Sequence, residues 1–107
     1  MRCLTIKKQW ADLIADGIKK IENRTWGKNV RGKIAIHAGG NDGAIIAIAE
    51  IETVLDKETA SKLYPEQTPY ILGPLCWVIK SVKKLEKPVF CKGKLSLWNI
   101  DDSLISQ

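Results

Sequence analysis

The chain has 107 residues, of which 45% are hydrophobic and 27% charged, with a formal net charge of +5. That length supports one hydrophobic core and excludes a second, and the composition is that of a globular protein rather than a disordered or fibrous one. There is no apolar run long enough to span a membrane, and Met1 to Lys8 lack the apolar segment of a secretory signal. The expectation is one domain over residues 1–107, in the cytoplasm, with no membrane partner.

Arg2 to Ile6 alternates polar and apolar residues, a short first strand. The period then changes. Trp10, Leu13, Ile14 and Ile18 form the stripe of an amphipathic helix over Lys8 to Ile18, with Trp10 expected in the core and Gly17 as its stop. Lys19 sits at the turn that follows. In an extended chain Lys20, Glu22, Arg24 and Trp26 point one way, and Ile21, Asn23 and Thr25 the other.

Lys33 to His37 and Gly43 to Leu55 read as strands joined by a glycine-rich hairpin connection, Ala38 to Gly43. That connection lacks the Lys-Ser/Thr ending and strand-to-helix setting of a P-loop. Asp56 is a plausible N-cap for a short helix over Lys57 to Leu63, which Tyr64-Pro65 ends before a loop from Glu66 to Pro74. Cys76 to Val82 is a strong strand, and Pro88 breaks the basic run after it. Lys94 to Ile100 alternates as a last strand, with Trp98 in the core. Five or six strands and two helices make an α+β domain with a small, mixed, strongly curved sheet or barrel.

Three cysteines, Cys3, Cys76 and Cys91, with no Cys-x-x-Cys spacing read as buried free thiols rather than a disulfide or zinc framework. His37, the one histidine, reads as a hydrogen-bonded structural residue, and a single histidine makes no metal site. No cofactor or metal is expected.

Charge is unevenly spread. Residues 1–34 carry +6, residues 41–66 carry −4 and residues 79–94 carry +5. Basic ends brought together would make a face for phosphates. The first of them holds the candidate nucleic-acid contacts Lys7, Lys8, Lys19, Lys20, Glu22, Arg24, Trp26 and Lys28. Lys19 offers a point charge for phosphate or, if desolvated, a proton shuttle. Arg24 offers a planar fork for phosphate or a base edge. Glu22 is placed to orient Arg24, to accept from a base amino group, or to act as a general base. A purely structural Glu22–Arg24 ion pair is the alternative. Trp26 and Trp77 are each able to stack a base, with core packing the expected role of Trp77.

The spacing Gly17-x-Lys19-x-x-Glu22-x-Arg24-x-Trp26 is joined by Leu4-Thr5-Ile6, Trp10-Ala11, Arg31-Gly32, Ile36-His37-Ala38, Gly43 to Glu50, Gly73-Pro74-x-Cys76-Trp77-Val78 and Lys92-Gly93-Lys94-Leu95-x-Leu97-Trp98. In this order the residues resemble an ASCH domain of the PUA-like superfamily, over almost the whole chain. The resemblance implies a PUA-like β-barrel with helices over its openings. It also implies a cleft beside the Gly-x-Lys segment, lined here by Lys19, Glu22 and Arg24.

Such domains bind RNA or other nucleic acids. A few bacterial relatives remove the acyl group of acetylated cytidine, and one is assigned ribonuclease activity. Two departures bear on this. Lys8-Gln9 stands where the family commonly has Gln-Pro before the helix tryptophan. Glu22 stands where the small amidohydrolases have threonine, and their catalytic glutamate falls in the region of Glu58 or Glu66.

The leading expectation is a binding module for RNA or single-stranded nucleic acid. The alternatives are an amidohydrolase on a modified nucleoside such as N4-acetylcytidine, with Lys19 and Glu22 catalytic, and a protein-interaction module using the basic face.

Overall fold

The computed structural model describes residues 1–106, so Gln107, at the end of the expected domain, lies outside the described residues. In chain order the elements are β1 (Arg2–Lys7), α1 (Lys8–Ala15), β2 (Ile21–Arg24), β3 (Gly32–Gly39), β4 (Ala44–Asp56), α2 (Lys57–Leu63), β5 (Leu75–Phe90) and β6 (Leu97–Asn99). Short 3-10 turns cover Pro65–Tyr70 and Asp102–Leu104. The six strands form one mixed sheet in the order β2-β5-β4-β3-β1-β6, parallel only between β1 and β3. This is the expected α+β architecture.

Three packed groups hold the sheet and helices together. Leu4 and Ile6 of β1, Ile34 and Ile36 of β3, and Trp77 and Ile79 of β5 meet Ala11 and Ile14 of α1. Cys3, Ala35, Ile45, Trp98 and Ile105 form a second group. Ile21, Ala60, Ile71, Cys76 and Val78 form a third, which seats α2 and the chain after it against β2 and β5. Trp77 is fully buried and donates Nε1–H to Trp26 O at 3.2 Å. Gly27 lies directly on that indole: a Cβ there would approach its Cζ2 to 2.3 Å.

Several boundaries differ from the expectation. Helix α1 stops at Ala15, three residues early, with the Ile18 and Lys19 N–H groups both donating to Leu13 O and Gly17 at φ +74° turning the chain away. Ile18 is therefore half-exposed. The buried stripe is Ala11, Ile14 and Ala15, and at about 100° per residue Trp10 lies on its flank.

Strand β5 continues through Pro88. Its pairing with β4 jumps from Lys84 opposite Ala47 to Val89 opposite Ile45, so Pro88 sits in an irregular stretch that asks no ladder N–H of it. The last strand is only three residues long. Ser96, at φ +57°, breaks the alternation just before it and leaves Leu95 exposed. The Glu66–Pro74 loop contains the Pro65–Tyr70 turn, and α2 begins as expected with the Asp56 carboxylate accepting from Thr59 N at 2.8 Å.

The cysteines are free, with Cys3 and Cys76 buried and Cys91 half-buried. Burial pushes the Cys3 thiol up to about 11 from an ordinary 9.0; the N-terminal ammonium opposes the shift and Cys91 adds to it. The folded chain thus keeps this proton at pH values where the unfolded chain releases it, so native stability falls as pH rises from about 9 to about 11. Urea denaturation across that window should show the wild type losing about 2–3 kcal/mol more than Cys3→Ala. Parallel losses in the two proteins would contradict this.

Candidate functional site

The site begins with a sequence-local accident of geometry. Gly17 ends the helix and reverses the chain, so Lys19 enters the fold just ahead of β2 and is 4% exposed. Its Nζ donates to Glu22 Oε1 at 3.0 Å and also to the Ile21 carbonyl. Glu22, 7% exposed, uses its other oxygen for Arg24, whose Nε and Nη2 both lie 2.9 Å from Oε2. Arg24 Nη2 reaches on to Thr5 O at 3.2 Å. Glu22 and Arg24 share a strand face, as the alternation requires. Lys19 joins them from the turn.

These groups floor a cleft of about 340 Å³, near the small end of the roughly 300–1,000 Å³ usual for ligand pockets. Its walls are Thr5, Ile6 and Lys7 of β1, Trp10 of α1, Asn23, and Pro69, Tyr70 and Leu72 of the segment before β5. Two amide side chains fix that far wall. Gln67, 5% exposed, accepts from Lys20 N at 2.7 Å and donates to Ile18 O at 3.1 Å. Asn23 donates to Tyr70 O at 2.8 Å and accepts from Leu72 N and Gly73 N, each at 2.9 Å.

Of the residues expected at the site, Lys7, Lys19, Glu22 and Arg24 line the cleft. Lys8, Lys20, Trp26 and Lys28 do not. Lys8 pairs with Asp12 across one turn of α1 at 2.7 Å. Lys20 is exposed while its backbone joins Gln67 and Ile79. Lys28 is exposed on the turn before β3. Trp26, half-buried, meets the buried Trp77 edge-on at 5.2 Å between ring centroids, and Trp77 packs in the core as expected.

Trp10, expected in the core, is 40% exposed and stands on the cleft wall. It and Tyr70 are the aromatic groups that sequence reasoning missed. The available signal was the run Ala11, Ile14 and Ala15, which fills a helical stripe without Trp10.

Glu58 and Glu66 both lie outside the cleft lining, and Glu58 is in an exposed ion pair with Lys62 at 3.2 Å. His37 is buried beneath the Cys91 carbonyl, to which its Nε2 donates at 2.7 Å, and meets Trp98 edge-on; its Nδ1 has no partner among the described residues. It takes no part in the cleft. Among the described residues no three His, Cys, Asp or Glu side chains gather as a metal-binding group.

The chemistry of the floor follows from its hydrogen bonds. Both Glu22 oxygens are held by cations, so the carboxylate works as an anchor for Lys19 and Arg24. Arg24 Nη1 makes no hydrogen bond among the described residues and remains available to a ligand.

Comparisons with known proteins come to one family. Its profile, described as the ASCH domain, matches residues 4–89. Human Activating signal cointegrator 1 is 20% identical over 131 residues, covering 95% of this chain and 22% of that protein. The chain therefore spans about a fifth of that relative's length. The crystal structure of an ASCH protein from Zymomonas mobilis has a TM-score of 0.73 at 16% identity, covering 96% of this chain and 89% of that one. A tyrosine-to-phenylalanine variant of the Zymomonas mobilis protein gives a TM-score of 0.71 at 16% identity, with 96% and 91% covered. At these identities the structural likeness speaks to the fold.

Breaking a buried ion pair by removing one partner costs about 3–5 kcal/mol, because the other charge is left uncompensated. Lys19→Ala and Glu22→Ala should each destabilise by about that much in urea denaturation near neutral pH, and the double variant by much less than the sum. Additive losses would mean that the two groups do not depend on each other.

Proposed function

The chain belongs to the ASCH domain family, a family associated with RNA binding, and on that premise we propose that it is an RNA-binding module whose cleft seats one unstacked base. The observation that carries this reading is Trp10, an exposed indole on the wall of a cleft whose floor is cationic. An exposed indole on such a wall presents a flat face to a ligand, and sequence-tolerant stacking on nucleic-acid bases is what such a ring supplies. Tyr70 shares the lining. Ile6, Pro69 and Leu72 give the walls the apolar character of a ring-binding slot, while Arg24 Nη1 and Lys7 offer donors to a base edge or a neighbouring phosphate.

The amidohydrolase alternative rests on the same contact between Lys19 and Glu22. Binding takes precedence because both Glu22 oxygens are engaged by cations, which gives the carboxylate a first task in holding Lys19 and Arg24. Release of cytidine from N4-acetylcytidine by the wild type, lost in Lys19→Ala, would reverse that precedence.

Binding of a single-stranded RNA octamer should quench tryptophan fluorescence and weaken linearly in log K against log salt. Trp10→Ala should lose about 1–3 kcal/mol of affinity, some 5- to 150-fold, while its thermal midpoint stays near the wild-type value. Undiminished affinity in Trp10→Ala would overturn the stacking role, and a salt-independent affinity would favour a protein partner instead.

A further inference from the structure

The second basic segment does not join the cleft as a whole. Lys84 is tied to Asp16 at 2.9 Å and Lys80 to Glu50 at 3.8 Å. Its last part behaves differently. Lys92 and Lys94 flank Gly93 in the crossing from β5 to β6, both are exposed, and neither forms an ion pair among the described residues. With Thr5, His37, Gly39, Gly40 and Leu95 they line a separate depression of about 350 Å³.

This depression and the cleft share one residue, Thr5. Its carbonyl accepts from Arg24 on the cleft side, at 3.2 Å. Its hydroxyl accepts from Trp98 Nε1 at 3.2 Å, and the Trp98 ring lies under Lys94 Nζ at 5.8 Å. Lys7 of the cleft is the register partner of Gly39 in the depression. The crossing loop is seated closely on this joint, since a Cβ at Gly93 would approach Thr5 Oγ1 to 2.7 Å and His37 Cε1 to 2.9 Å. Lys7, Lys92 and Lys94 thus follow the Thr5–Gly39 surface away from the cleft.

We propose that the Lys92–Gly93–Lys94 loop is a backbone-phosphate subsite for the nucleotides adjoining the base in the cleft. This rests on the reading of the cleft as a base site, and it makes the ligand a single strand of several nucleotides rather than a free nucleoside. Two long-chain ammonium groups with no carboxylate partner among the described residues, beside backbone that carries no side chains at Gly39, Gly40 and Gly93, suit phosphates that must pass close to the protein surface. The cleft's own cations are held by Glu22, so most of the counterion release on binding a strand falls to this outer track.

The experiment compares wild type with the Lys92→Ala/Lys94→Ala double variant, folding being checked by circular dichroism. Binding of a uridine octamer and of uridine 5′-monophosphate is titrated between about 50 and about 200 mM salt. Loss of two phosphate contacts should lower the slope of log K against log salt by about 1.4 for the octamer, so the deficit of the variant grows about sevenfold from the high to the low salt. Monophosphate binding should be unchanged.

An unchanged octamer slope overturns the subsite. So does an equal loss for monophosphate and octamer, since the lysines would then serve the base cleft itself. Failure of the wild type to bind the octamer at low salt sinks the base-cleft reading beneath it.

Discussion

Glu22 is the group on which the site's geometry depends. It lies on the short strand at one end of the sheet, and among the described residues no ladder connects that strand to β1. The connection is made by side chains. Lys19 holds one carboxylate oxygen, Arg24 holds the other, and Arg24 carries the link to the Thr5 carbonyl on β1. β6 pairs with β1 only at Arg2, Cys3 and Leu4, which leaves Thr5 beyond the reach of that ladder. The cleft occupies this gap, and an apolar plug there would fill the volume while leaving the Thr5 carbonyl without its donor.

A buried ion pair is a poor device for stability, since taking both charges from water costs about as much as their attraction returns. Its contribution here is geometric. A carboxylate between an ammonium and a guanidinium fixes both cations in position before any ligand arrives, so binding need not order two long side chains. The amide clamps Gln67 and Asn23 do the same for the opposite wall, each joining two separate backbone segments. Floor and wall are therefore set by buried polar contacts, and the apolar core supports them from below.

Much of the fold was legible because it depends on local patterns. Gly17 as helix stop, Asp56 as cap, the β3–β4 hairpin and the alternating strands each answer to a few neighbouring residues. The Lys19, Glu22 and Arg24 cluster was legible for a similar reason, the three lying within six positions of one another. The errors lie where distant partners decide. Pro88 does not end β5, because a bulge in the pairing with β4 excuses its missing N–H.

Trp10 stands on the cleft wall rather than in the core because bulk alone does not say which face of a helix is buried. The small stripe of Ala11, Ile14 and Ala15 brings α1 against the sheet and leaves the indole at its flank, and Gly27 lets Trp77 take the interior place beside Trp26. Gln67 carried no signal at all, since its value lies in two backbone groups 47 and 49 positions away.

On the proposed reading, these contacts divide recognition between parts of the chain that are free to do different things. The floor has spent its hydrogen bonds on holding itself together, and it offers a ligand little beyond a positive field and the Nη1 end of Arg24. The rings that rise around it supply contact area with few rotamers to lose. On that reading the solvent-exposed charge lies outside, on Lys7, Lys92 and Lys94, where long side chains would follow a strand without being desolvated. Thr5 is the joint between these regimes: its carbonyl belongs to the rigid floor, and its hydroxyl to the tryptophan beneath the basic loop. A chain of this size would thus pair a rigid pocket with the proposed track, because one residue of β1 lines both depressions.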